Sequence, residues 1–211
     1  MRALCFVAGL AAVQAGLMLS DESLAVHMLG HGLIVAIGAP LIVLGRPVSF
    51  LLRTLPRPVA RDLAQLLRAP LTRALLWPPL AFAAFAAAQL AFHLTPLFEQ
   101  TLHDGPLHEL EHALFFWTAL WLWTVGLAVE PLPQRWPPLA RALLLLAAMP
   151  VSDAGAIRLM LDGDREAGGV MVVAMMPFGL AAAAVAWRAL LCEERRQRRF
   201  HQDEEALHAP S

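Results

Sequence analysis

The chain of 211 residues contains no lysine and only two cysteines, and charged residues make up only 16% of it. Cys5 and Cys192 lie far apart and form no C-x-x-C pair, so no disulfide framework is expected. The formal net charge of −1 gives no indication of a nucleic-acid partner. An average soluble domain is about one quarter charged, so the low charge content argues against an ordinary soluble protein.

Hydrophobic residues make up 58% of the chain and are gathered in long runs. A helix needs about 20 apolar residues to cross a hydrocarbon core of about 30 Å. The runs do not alternate with polar residues, which excludes a transmembrane β-barrel. The sequence therefore predicts an all-α protein, a polytopic transmembrane helical bundle with about six spans, near residues 3–20, 24–44, 72–95, 108–129, 139–160 and 167–191.

The positions of the arginines predict the orientation of the bundle. All of them except Arg158 and Arg165 fall in loops and flanks on one side of the predicted membrane. By the positive-inside rule, both termini are then cytoplasmic. Residues 56–70 alternate basic and apolar positions in the manner of a short interfacial helix on the inner side. We therefore expect a helical domain over 1–191 and a polar cytoplasmic tail over 192–211.

The first predicted span has a second interpretation. Arg2, a short apolar core and the sequence V-Q-A at 13–15 are also typical of a cleavable signal peptide. The predicted topology of the remaining spans is the same under both interpretations.

Two histidine pairs stand at the outer ends of predicted spans. His27 and His31 open the second span, His108 and His112 open the fourth, and His93 lies near the outer end of the third. Residues four positions apart share one face of a helix. Ionisable residues inside a span are costly and indicate function. Two such pairs are therefore predicted to form one metal site or haem site.

The residue types indicate which cofactor the site would bind. Imidazole suits copper, zinc, iron and nickel, and methionine sulfur favours Cu(I). One histidine from each helix would also serve as an axial ligand to haem, which leaves a haem-binding membrane protein as the alternative. A metal transporter is less favoured, because no charged residue lies centrally in the second, third, fourth or sixth span.

Three blocks of sequence stand out: HMLGHGLIVAIGAPLIVLGRP (27–47), HELEHALFFWTALWLW (108–123) and DREAGGVMVVAMMPFGL (164–180). Together they resemble the polytopic CtaG-type cytochrome c oxidase assembly factors, and the first two look like the two histidine blocks of that family. DREAGGVMVVAMMPFGL (164–180) resembles its D-x-x-x-G-G-x-x-M block. The matching positions are His27, His31, His108, Glu111, His112, Asp164, Gly168, Gly169 and Met171.

The resemblance implies a bacterial inner-membrane protein that helps to assemble a haem–copper oxidase. Its partner would be an oxidase subunit or another assembly factor within the lipid bilayer. The four histidines would hold copper, with Glu111, Asp164 and Met171 as further candidate ligands. The family usually has about seven spans and an aromatic residue where Val172 stands here. A shortened relative with a related role in copper handling is therefore also consistent with the sequence.

The stretch HELEH (108–112) also fits the zinc-protease motif H-E-x-x-H. A protease would use Glu109 as its base, with Asp162 as a third ligand, but the family pattern requires Glu111 and leaves position 109 open. A protease also leaves His27 and His31 unexplained. The sequence therefore predicts a protein that is not an enzyme, in which the protease motif is accidental.

Overall fold

The computed structural model describes residues 1–19, 23–133 and 136–208, and the fold is 87% helical, with no strand in these ranges. A π-helical segment, Leu33–Gly38, joins the second helix to the third. The helices are α1 (Arg2–Met18), α2 (Leu24–Gly32), α3 (Ala39–Gly45), α4 (Pro47–Thr54), α5 (Arg57–Arg68), α6 (Pro70–Leu75), α7 (Pro78–Leu94), α8 (Leu97–Thr101), α9 (Gly105–Leu127), α10 (Pro138–Leu161), α11 (Arg165–Ala174) and α12 (Met176–His208).

Three helical stretches in the described part of the chain are long and apolar enough to cross a membrane. They are Leu24–Thr54, Pro138–Leu161 and Arg165–Arg199. Helices α1 and α7 are apolar but have only 17 residues each. The helical fold class is thus confirmed for the described residues, and the three apolar stretches support membrane association. The count of six spans and the side of each terminus stay predictions.

The other predicted segments correspond to helices as well. Each of the six predicted spans overlaps one or more helices, and helix α5 occupies the segment predicted to lie at the inner interface. The predicted tail, 192–211, is helical as far as His208, and 209–211 lie outside the described residues, as does residue 20 at the end of the first predicted span.

The core lies between α7, α9, α10, α12 and the π-helical segment. Its fully buried side chains include Phe85, Phe115, Trp123 and Phe178, and the ring of Trp123 stacks on Phe178 at 4.3 Å. The indole N–H of Trp123 donates to the carbonyl of Val35 inside the π-helical segment (2.8 Å). Helix α9 is therefore anchored to the chain that follows α2, which fixes the two histidine-bearing helices against each other.

Small residues allow the helices around the histidines to approach closely. A Cβ atom on Gly32, next to His31, would lie 2.5 Å from Cβ of Ala174 in α11. A Cβ atom on Gly155 in α10 would lie 2.6 Å from Cβ of His93 in α7. Both distances are below van der Waals contact, so these positions hold the backbone close to the histidines only as glycine.

The opposite end of the bundle is held by charged side chains that bond to backbone groups. Arg46, with a left-handed φ of 60°, ends α3 and donates from Nε to the carbonyl of Val129 (2.7 Å). Glu130 accepts the backbone N–H groups of Val48 and Ser49 at 3.0 Å each and so caps the start of α4. These contacts tie the ends of α3, α4 and α9 together.

Candidate metal centre

Both histidine pairs follow a capped helix start. The side chain of Ser23 accepts the N–H of Val26 (3.3 Å) at the start of α2, and that of Asp104 accepts the N–H of Leu107 (3.1 Å) at the start of α9. Side-chain oxygens at such positions accept hydrogen bonds from the backbone N–H groups of the first turn, which have no partner within the helix. The first histidine of each pair is the fourth residue of its helix. The local sequence thus places both pairs at equivalent depths.

The two pairs meet in the structure. The ring centroids of His27 and His31 are 4.4 Å apart, and those of His108 and His112 are 4.3 Å apart. Between the helices, the ring of His27 lies 4.9 Å from that of His108, and the ring of His31 lies 4.9 Å from that of His112. The four imidazoles predicted as ligands therefore form one cluster, and their binding of a metal stays a prediction.

Glu111 joins this cluster from α9. Its side chain is fully buried, and its Oε2 lies 4.0 Å from Nε2 of His31. One ligand atom from each of Glu111, His27, His31 and His108 can be chosen so that all four lie within 4.8 Å of one another. A carboxylate and imidazoles at this separation reach a common ion after small side-chain rotations.

Several polar atoms of the cluster are buried without a hydrogen bond. They are both ring nitrogens of His31, Nε2 of His93 and of His108, and both carboxylate oxygens of Glu111. A buried polar group that lacks a partner costs about 1–3 kcal/mol. The hydroxyl of Thr101 donates to the carbonyl of Phe98 (2.7 Å) and also lies close to the Glu111 carboxylate. Lone pairs that converge in a buried site are the arrangement that a metal ion satisfies.

His93 also lies beside these histidines, although its sequence context did not single it out as a ligand. Its ring lies 5.9 Å from that of His31 and stacks on Phe115. Its Nδ1 lies 2.9 Å from the carbonyl oxygen of Gln89. A carbonyl only accepts, so Nδ1 carries the proton and Nε2 keeps its lone pair. His93 lacks a second histidine one turn away, which was the signal used for the others.

Asp164 and Met171, the other two candidate ligands, make contacts that stabilise the fold. The Oδ1 atom of Asp164 accepts the N–H of Ala167 (2.9 Å) and caps α11. Met171 is 4% exposed and packs in an apolar cluster with Met28 and Leu159. Asp164 does not belong to the described group of converging ligand atoms, and the packing of Met171 supplies no separate indication of a metal.

Arg158, near the end of α10, binds the acidic residue that follows the helix. Its Nε donates to Asp162 (3.2 Å) and its NH1 to the carbonyl of Leu94 (3.0 Å). Asp153 lies about one turn before Arg158, but the guanidinium is directed toward the end of the helix. Asp162 is therefore paired with Arg158 and does not belong to the described group of converging ligand atoms.

The two glutamates of HELEH occupy different surroundings. Glu109 is exposed and lines a cavity of about 730 Å³ beside His108 and His112, whereas Glu111 is buried within the cluster. The glutamate that converges with the histidines is therefore the one that the family pattern requires and not the one that a zinc protease uses as its base. The cavity gives the cluster a side opening toward α1.

Similar proteins include three mycobacterial relatives. An uncharacterized protein of Mycobacterium bovis and one of Mycobacterium tuberculosis are each 35% identical over 133 residues, and one of Mycobacterium leprae is 31% identical over 132 residues. Each match covers 59% of this chain but only 20% of the relative. The chain thus spans about a fifth of the length of these relatives. No solved structure matches it significantly.

The comparison with protein families covers most of the chain. The family model described as the cytochrome c oxidase caa3 assembly factor matches residues 1–191, which include α1 to α11, both histidine pairs and the first half of α12. The resemblance in the three sequence blocks is thereby confirmed, and the chain belongs to the family of cytochrome c oxidase caa3 assembly factors.

Proposed function

We propose that this protein is an inner-membrane assembly factor that binds copper through its histidine cluster and delivers it to a haem–copper oxidase. The observation that carries the proposal is the convergence of His27, His31, His108 and Glu111, whose ligand atoms lie within 4.8 Å of one another in a buried site. Family membership supports the assembly role. Copper is the cargo in this proposal, and the client is an oxidase subunit in the same membrane.

The donor set favours copper among the available metals. Imidazole nitrogen binds Cu(II) strongly, and first-row affinities peak at copper. The site also has more imidazoles than a tetrahedral ion needs, since His93 and His112 stand beside the three histidines of the tightest group. Surplus ligands allow one donor to replace another, which is what a transfer site requires. We include His93 among the proposed ligands for this reason.

The packing of the rings favours an ion over haem. Neighbouring imidazole centroids lie 4.3–4.9 Å apart, so a porphyrin would have to separate rings that are now in contact. Haem binding would show as a Soret band, and copper binding would not. Absorption spectroscopy therefore decides between the two cofactors that the sequence analysis left open.

The first test is the metal content of the detergent-purified protein. We expect about one equivalent of copper in the wild type, a large loss in the His27→Ala/His112→Ala variant, and lower oxidase activity in cells that carry this variant. His103→Ala is the matched control, because His103 is exposed and does not belong to the cluster. Full copper content and full oxidase activity in the double variant would overturn the proposal.

A further inference from the structure

A second large cavity lies at the end of the bundle opposite the histidines. Its volume is about 1,070 Å³, and its walls come from the ends of α3 and α9, the start of α10 and one face of α12. Four arginines line it, and Glu193 is its single acidic lining residue among the described part of the chain. The arginines are Arg46, Arg141, Arg188 and Arg196.

The wall formed by α12 is apolar in its first part and basic in its second part. Its first part presents Ala181, Ala184 and Val185, and its second part presents Arg188 and Arg196. At 1.5 Å per residue, the distance from 181 to 196 along the helix is about 22 Å. The cavity is therefore apolar toward the middle of the predicted bilayer and cationic toward its surface.

Two of the arginines are held in place by backbone carbonyls. The Nε and NH2 groups of Arg46 donate to the carbonyl of Val129, and NH1 of Arg141 donates to that of Leu127 (2.9 Å). These carbonyls hold both guanidinium groups at the wall of the cavity. Together with the two arginines of α12, they make this wall basic.

The other two arginines are exposed on α12. Arg196 pairs with Glu193 (2.8 Å), and its side chain is 76% exposed. Arg188 is exposed one helical turn before Cys192 on the same face. Trp187, beside it, is 62% exposed, as expected of an aromatic residue at a membrane interface. Both arginines can move toward a phosphate at the mouth of the cavity.

We propose that this cavity binds one anionic phospholipid, with its phosphate among the four arginines and an acyl chain along the apolar wall. Charge complementarity selects the ligand class, because basic pockets between transmembrane helices bind anionic headgroups. Leu44, Leu139 and Leu190 flank the apolar part and are between 40% and 66% exposed. A free phosphate would use the arginines but not this apolar wall.

Native mass spectrometry of the whole 211-residue chain in detergent tests the proposal by measuring which lipids it retains. Phosphatidylglycerol and phosphatidylcholine with identical acyl chains would be compared, with inorganic phosphate as competitor. We expect phosphatidylglycerol to be retained preferentially and phosphate not to displace it at millimolar concentration. Equal retention of both lipids, or displacement by phosphate alone, would overturn the lipid assignment.

Variants on one helix distinguish the cavity from general surface charge. Arg188→Gln/Arg196→Gln is expected to lower phosphatidylglycerol retention about tenfold. Arg195→Gln/Arg198→Gln removes the same charge from residues that do not line the cavity and should have little effect. Glu193→Gln should strengthen retention, because it removes the carboxylate that pairs with Arg196. Equal losses in the two double variants would overturn the site.

Discussion

The Oε2 atom of Glu111 lies 4.0 Å from Nε2 of His31, and both side chains are buried between α2 and α9. This distance is too long for a hydrogen bond and is suited to two groups that share a third partner. The carboxylate supplies the negative charge of the proposed site. It is also the residue that connects the second histidine block to the first.

Glu111→Gln is expected to lower copper affinity about 10- to 100-fold, because the site loses its anionic donor or the group that orients the imidazole. Glu109→Gln is the matched change within the same five-residue motif, and it should leave copper affinity unchanged because Glu109 is exposed. Competition with a chromophoric chelator measures both affinities. A larger loss of copper affinity in the Glu109 variant than in the Glu111 variant would contradict the assignment of Glu111 to the site.

His93→Ala is expected to weaken copper binding about tenfold without unfolding the bundle. The reason is the hydrogen bond of Nδ1 to the Gln89 carbonyl, which leaves Nε2 as a donor to the metal. Electron paramagnetic resonance of the Cu(II) protein would show one fewer nitrogen ligand. An unchanged spectrum would instead place His93 in a packing role beside Phe115.

Gly155→Ala tests the position of His93 without changing any ligand. The added methyl group would lie 2.6 Å from Cβ of His93, so α7 or α10 has to shift. We expect weaker copper binding and a less stable protein. Gly169→Ala is the control, because nothing lies within 4 Å of its added methyl group. Chelator competition and thermal unfolding measure both variants, and identical behaviour would contradict the prediction.

Glu130→Ala is expected to lower the free energy of unfolding by about 2 kcal/mol. Its carboxylate is 4% exposed and accepts the N–H groups of Val48 and Ser49, and hydrogen bonds to a buried charge are worth about 1.5–3 kcal/mol. Asp62→Asn, on exposed α5, should have little effect. Denaturant titration in detergent provides the comparison, and equal stability of the two variants would show that the cap is dispensable.

The positions of the helices and of the histidine pairs could be predicted from the sequence, because they depend on residues that are close together along the chain. The apolar runs predicted helices near the observed bounds, and the i,i+4 spacing predicted that His108 and His112 share a face. The alternation of spans placed His27 and His31 at the same end. These inferences need only helix periodicity and the order of the helices along the chain.

The remaining features depend on contacts between distant segments. The inclusion of His93 results from the packing of α7 against α9 and α10, which no spacing within one helix reveals. Arg158 pairs with Asp162 and not with Asp153 because of the direction of its side chain at the end of α10, which the sequence does not specify. The burial of Glu111 beside His31 likewise requires the relative rotation of two helices.

The π-helical segment Leu33–Gly38 has a consequence for how such a site changes during evolution. A π-helical turn contains one residue more than the α-helical turn it replaces, and each residue rotates a helix by about 100°. Deletion of one residue between 33 and 38 would remove none of the ligands. It would nevertheless rotate His27 and His31 away from α9, because Val35 stays bound to Trp123. A relative with an insertion or deletion in this segment would thus lack the site even if it has all the histidines.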